Sequence, residues 1–141
     1  MAVDTIEDMV ETFSFLDDWD DRYRYLIELG RELTPYPEEF RDDAHKVQGC
    51  VSQVWLHTEI GEGDDPVLNF YGDSDAHIVS GLVAITLALF SNHKASEILE
   101  LDHTKTFDDI GLQEHLTPQR ANGLRSMVGR IKAIAENAHK T

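Results

Sequence analysis

The chain has 141 residues and a single cysteine, Cys50. It stands in the run His45-Lys46-Val47-Gln48-Gly49-Cys50-Val51-Ser52-Gln53-Val54-Trp55-Leu56. One thiol cannot close an internal disulfide, and it cannot build a cysteine metal cage or an iron–sulfur cluster within one chain. It can react as a nucleophile, and Gly49 just before it suggests a turn that presents it. A thiol is only a few per cent ionised at neutral pH, so a nearby cation or backbone N–H groups would raise its reactivity. Lys46 is the cation close by in sequence.

Other chemistries fit less well. A stand-alone thiol hydrolase or peroxidase would pair Cys50 with a histidine. Seven are available, His45, His57, His77, His93, His103, His115 and His139, but none stands in a Cys/His signature. No HExxH-like spacing marks a zinc site. With 12 basic against 27 acidic residues the net charge is −15, which repels phosphate backbones and argues against nucleic acid as a partner. The charge serves solubility or docking onto a basic protein surface.

Met1 to Asp20 is acidic and lacks the basic and apolar regions of a secretory signal. The longest apolar stretch, Ile78 to Phe90, is too short to span a bilayer and is interrupted by Ser80, Gly81 and Thr86. A cytoplasmic, membrane-free protein is therefore expected, and a free cysteine suits a reducing compartment.

The elements that must position Cys50 can be read from periodicity. Ile6, Met9, Val10 and Phe13 predict a helix over Thr5 to Leu16. Trp19, Tyr23, Leu26, Ile27 and Leu33 predict a second, capped by Asp17 or Asp18 and ended by Pro35 and Pro37. Glu38 to Gln48 reads as polar and irregular. Val51 to Thr58 predicts a strand and Val67 to Tyr71 its return, around the turn cluster Gly61 to Pro66. Gly72-Asp73-Ser74-Asp75 is expected to break the sheet, with Asp73 or Asp75 capping the next helix. That helix, Ala76 to Ser91, is apolar nearly all round and is expected at the centre of the core. Ile98 and Leu101, then Phe107, Ile110 and Leu112, mark weaker helical patterns. Thr117-Pro118 starts a last helix lined by Leu124, Met127, Val128, Ile131 and Ile134. The class is α+β, in one domain over residues 1–141.

The Cys50 run resembles the active-cysteine segment of the SufE family, the sulfur acceptors of cysteine desulfurases. Three more segments resemble the family in order. They are Tyr25 to Arg31 with Leu33 and Pro35, Gly72 to Ala76 leading into Ile78 to Leu82, and Leu116 to Arg120 with Asn122-Gly123-Leu124. The resemblance implies a small three-stranded antiparallel sheet packed against several helices, shared with IscU-type scaffold proteins. Two of those strands are the ones expected over Val51 to Thr58 and Val67 to Tyr71, and the third is expected just before Cys50.

It also implies a function. A pyridoxal-phosphate-dependent cysteine desulfurase would pass persulfide sulfur to Cys50, which would hand it to an iron–sulfur scaffold or another acceptor. The protein itself would carry no cofactor. A homodimer is an alternative assembly, and a non-covalent desulfurase activator is the alternative function. Gln48, Gly49 and Gln53 would shape the cysteine loop. Arg120 would lie near that loop and stabilise the thiolate or persulfide. Asp73 and Asp75 are candidates for partner contact, with loop tuning a further role for Asp75. Val47, Val51, Val54 and Trp55 would shelter a persulfide.

Overall fold

The computed structural model describes residues 5–47, 53–111 and 116–139. Among them are six α-helices and three strands: α1 (Ile6–Phe15), α2 (Trp19–Arg31), β1 (Val54–Ile60), β2 (Val67–Ser74), α3 (His77–Phe90), β3 (His93–Lys94), α4 (Ala95–Glu100), α5 (His103–Ile110) and α6 (Pro118–Ala138). Two single 3₁₀ turns, Glu38–Phe40 and Asp43–His45, lie between α2 and β1.

The helix starts follow capping chemistry. Thr5 and Asp8 form a reciprocal capping box on α1, and Asp18 caps α2 by accepting from the Asp20 N–H. Thr117 caps α6, with Pro118 at its first position. Each such side chain satisfies a donor that the first helical turn leaves unpaired. Carbonyls at the other ends are met by Arg22, which donates to Leu16 (2.7 Å), Phe13 (3.3 Å) and Ile110 (3.4 Å). One guanidinium thereby ties the ends of α1 and α5 together.

The sheet is antiparallel in the order β1-β2-β3. The expected third strand before Cys50 is not part of the ladder. It is His93–Lys94, which pairs with Leu68 and Val67 after α3 turns back through Asn92 in the left-handed region (φ 63°). Asparagine tolerates that conformation better than most residues. Before Cys50 there is only an isolated bridge among the described residues, Lys46 to Trp55. The return strand also runs further than expected. Gly72, Asp73 and Ser74 stay in register with Leu56, Trp55 and Val54 instead of breaking the sheet. Gly72 is there for a close approach rather than a turn, since a Cβ would lie 2.7 Å from Val83 Cγ1. β1 likewise runs to Ile60, beyond Thr58. Its expected first residues, Val51 and Ser52, lie outside the described residues.

α3 is the centre of the core, as its composition demands. Ten of its residues are buried, from Ser80 to Phe90. It packs between the sheet and α2. Gly30 of α2 and Gly81 of α3 let the two backbones meet, leaving no room for a Cβ on either. Leu56, Leu68, Phe70, Phe90, Ile98, Phe107 and Ile131 belong to the same continuous cluster.

The opposite face of the sheet is covered by the stretch read as irregular. Phe40 stacks on His57 at 3.8 Å between ring centroids and 10° between planes. Arg41 lies over the rings of Trp55 (4.7 Å) and Tyr36 (5.2 Å). Residues 36–47 thus form a strap over β1 and β2. Its last step before the cysteine segment is the Val47 N–H, which donates to Val54 O at 2.8 Å.

Candidate functional site

Cys50, Gln48 and Gly49 lie outside the described residues, as do Val51 and Ser52. The described residues show what holds the chain on either side of them. Val47 comes last before the segment and is buried. Its bond to Val54, with the Lys46–Trp55 bridge, joins the two ends in a short antiparallel neck.

The C-terminal end is held by Asp75. One carboxylate oxygen accepts from the Gln53 N–H at 3.0 Å, and the other accepts from Gln53 Nε2 at 3.2 Å. The Asp75 N–H donates back to Gln53 O (3.2 Å), which also accepts from Ser74 Oγ (2.8 Å). Gln53 is therefore held through its N–H, its carbonyl and its side-chain amide. The expectation that Asp73 or Asp75 caps α3 is not met, because Ala76 is the cap residue and no side chain caps the helix. Both carboxylates are committed elsewhere, Asp75 to Gln53 and Asp73 to Arg41. Removing the Asp75 carboxylate by Asp75→Ala is expected to cost about 1 kcal/mol overall and to speed exchange of the Gln53 amide roughly five- to tenfold. Native-state hydrogen exchange would check this.

The N-terminal end is held by two arginines. Arg41 donates to Asp73 at 2.8 Å and to Glu38 at 3.0 and 3.1 Å. Asp73 is the cross-strand partner of Trp55, so Arg41 fixes the strap against the β1–β2 pair beside the neck. Its hydrogen bond holds the Glu38 carboxyl below the usual carboxylate range. Arg130, from the middle of α6, donates to the carbonyls of Ala44 and Lys46, both at 2.8 Å. His45 Nδ1 meets Asp42 at 2.7 Å, and this bond lowers the Asp42 carboxyl.

Tyr36 completes the strap, donating from its hydroxyl to Phe40 O at 2.9 Å. Burial, then the Asp42 charge, pushes its phenol up from 10.0 to about 12. A raised folded-state value means that the protonated phenol stabilises the fold. That stability is fully present below pH 10 and is lost as pH rises through about 12. The loss is on the order of 2–3 kcal/mol, and in Tyr36→Phe this alkaline step should be missing from stability measured by denaturant titration against pH.

Arg120 is the third residue of α6 and is half-buried. Its N–H donates to Thr117 Oγ1, and its guanidinium makes no hydrogen bond or ion pair with a described residue. The arginine of α6 that meets the strap is Arg130, ten residues and about 15 Å further along the helix axis. Sequence reasoning did not single out Arg41, Arg130 or Tyr36. Arg130 lies 84 residues from its partner Lys46, and no local pattern announces such a pairing. Of the residues expected to shelter a persulfide, Val47, Val54 and Trp55 are buried.

Among the described residues, no group of three or more His, Cys, Asp or Glu side chains could hold a metal ion. No helix among them is long and apolar enough to cross a membrane.

The family model described as "Fe-S metabolism associated domain", SufE, matches residues 7–135. The chain belongs to the SufE family. An uncharacterized SufE-like protein of Rhizobium meliloti is 57% identical over 133 residues, which cover 94% of this chain and 95% of the relative. The cysteine desulfuration protein SufE of Wigglesworthia glossinidia brevipalpis is 40% identical over 126 residues, or 89% of this chain and 86% of that protein. The solution structure of a hypothetical protein from Thermus thermophilus superposes with a TM-score of 0.72 over 98% of both chains, at 20% identity. That likeness concerns the fold, and it extends over the α+β arrangement of this SufE-family chain as a whole.

Proposed function

We propose that this SufE-family protein accepts sulfur on Cys50 from a pyridoxal-phosphate-dependent cysteine desulfurase and passes it on for iron–sulfur cluster assembly. The observation that carries this reading is how the only cysteine is framed. A neck and three side-chain anchors, Asp75, Arg41 and Arg130, hold the chain on both sides of it, inside a domain of a family tied to iron–sulfur metabolism.

The step is an exchange at sulfur. The Cys50 thiolate attacks the outer sulfur of the donor persulfide, a new S–S bond forms as the donor's S–S bond breaks, and the donor cysteine leaves as thiolate. The transferred sulfur keeps its oxidation state, so no external oxidant or reductant is consumed. Passing the sulfur to a scaffold or another acceptor repeats the exchange with Cys50 as the donor. The cofactor belongs to the desulfurase, and this chain supplies only the thiol and the residues around it.

On this reading Gln48 and Gly49 shape the segment that carries the thiol, and Gln53 anchors it. Arg120 supplies positive charge for the thiolate or persulfide. The buried Val47, Val54 and Trp55 limit the access of small thiols to the persulfide. Asp75 and the neighbouring Asp73 lie where a docking desulfurase would meet the neck.

The test is turnover. With L-cysteine in excess, adding the protein to a pyridoxal-phosphate desulfurase should raise the rate of alanine release until the carrier saturates. An unchanged rate with every desulfurase of this class would overturn the reading.

A further inference from the structure

We propose that the open edge of β2 at Phe70 to Gly72 docks an extended, basic segment of a partner protein as an added strand. The inference is independent of the sulfur-acceptor reading above. The bonds from Gly61 N–H to Val67 O (2.9 Å) and from Asp75 N–H to Gln53 O (3.2 Å) lie in register with the β1–β2 ladder. They put the odd-numbered residues of β2 in its hydrogen-bonded pairs with β1. Leu68, Phe70 and Gly72 therefore turn their backbone groups to the other edge.

β3 covers only the start of that edge. The Leu68 carbonyl accepts from the Asn92 N–H at 2.8 Å, and Ser91 Oγ accepts from the Phe70 N–H at 2.9 Å. Beyond them, the Phe70 carbonyl and both backbone groups of Gly72 have no hydrogen-bond partner among the described residues. Gly72 is buried all the same. Buried backbone groups are nearly always paired, so these three mark the place of an incoming donor and acceptor. Phe70 and Gly72 line a cavity of about 590 Å³, within the range of ligand pockets. Ile6, Leu29, Leu33, Ala84, Leu87 and Ala88 supply its apolar wall.

Charge selects the occupant. Among the described residues, Glu7 lines the cavity and no lysine or arginine does. Ala88 and Ser91 bring in the C-terminal end of α3, the negative end of its dipole, and the last turn of α3 carries no basic residue. A second copy of this chain, with its net charge of −15, would be repelled. An extended segment that alternates basic and apolar residues meets both demands. Its main chain bonds to Phe70 and Gly72, its apolar side chains enter the wall, and its cations face Glu7 and the α3 end.

The probe is the capped peptide Lys-Val-Lys-Val-Lys-Val, added to the isotope-labelled full chain and followed by amide NMR. Shifts are expected to concentrate at Phe70 to Gly72, Ser91 and Asn92. Exchange of the Gly72 amide should slow about fivefold or more. The same peptide methylated at every backbone nitrogen keeps its charge and loses its donors, so its affinity should fall about fivefold or more. Ala88→Leu fills the apolar wall and should weaken binding to a similar degree, with a thermal melt checking the fold. Cys50→Ser should bind as wild type does.

Equal binding of the methylated peptide, or shifts spread over the acidic surface, would reduce the attraction to net charge and overturn the proposal. The methylated peptide decides the matter on the unaltered chain if Ala88→Leu fails to fold. No binding at any peptide concentration would also overturn it. So would dimerisation of the free protein through Phe70 to Gly72, or binding only after residues 1–4 are removed, which would assign the edge to a second copy or to the chain's own N-terminus.

Discussion

Cys50→Ser is expected to reduce the stimulation of a desulfurase on the order of a hundredfold or more, down to the rate of the desulfurase alone. Serine matches cysteine in shape and removes the chemistry. Its hydroxyl stays protonated at neutral pH and is a poor nucleophile toward sulfur, whereas a thiol is partly ionised and intrinsically reactive there. Since the chain has no second cysteine, nothing else in it can take over the exchange. Docking should survive, because the anchors around the segment, Asp75–Gln53, Arg41–Asp73 and Arg130–Lys46, do not involve the thiol. Alanine release read alongside equilibrium binding separates the two effects. Retained stimulation by Cys50→Ser would make the protein a contact activator instead of a carrier.

The largest effect on stability is expected from Gly81→Ala. In an exposed helix the change would gain about 1 kcal/mol of propensity. Here the new Cβ would lie 2.1 Å from Leu26 O and 2.6 Å from Leu26 C. Those are backbone atoms of α2, which cannot rotate away as a side-chain tip could. The two helices must separate, and the layer between Leu26 and Ile85, both fully buried, opens with them. The clash outweighs the propensity gain, for a net cost of about 3 kcal/mol or more. The midpoint of thermal unfolding should fall by roughly 10 °C. Gly129→Ala in α6 is the control, since a Cβ there meets nothing within 4 Å. It should leave stability unchanged or raise it by up to about 1 kcal/mol. Equal effects of the two substitutions would refute the close-packing account.

The same pair of glycines shows what could and could not be read from the chain. Helix periods were legible because burial imposes them locally. Met9 and Phe13 on α1, Leu26 and Leu29 on α2, and Leu124, Met127, Val128 and Ile131 on α6 are all buried. The Thr117-Pro118 start and the Asp18 cap were legible for the same local reason.

Gly72 was misread, because a glycine that admits a helix and one that makes a turn look alike in sequence. The third strand was misplaced because His93–Lys94 is too short to show a period, and its pairing depends on the turn at Asn92. The hairpin turn shows the same limit. Asp65 looked like one acid among several, yet its carboxylate accepts from Ser96 N–H and Oγ at the start of α4, 31 residues away, and is lowered by those bonds.

The site followed this division. The expected cysteine segment lies outside the described residues, whereas Gln53 and Asp75, both expected from the family pattern, are bonded to each other. Arg41 and Arg130 were not found, because a guanidinium that meets a distant carboxylate or carbonyl leaves no periodic trace.

Whether sulfur resides on Cys50 separates a carrier from a contact activator. Intact-mass spectrometry after incubation with a pyridoxal-phosphate desulfurase and L-cysteine, without added reductant, reads this directly. The expected result is a gain of one sulfur, absent in Cys50→Ala and removed by a small thiol. No gain in the wild-type protein, with the desulfurase accelerated all the same, would contradict it.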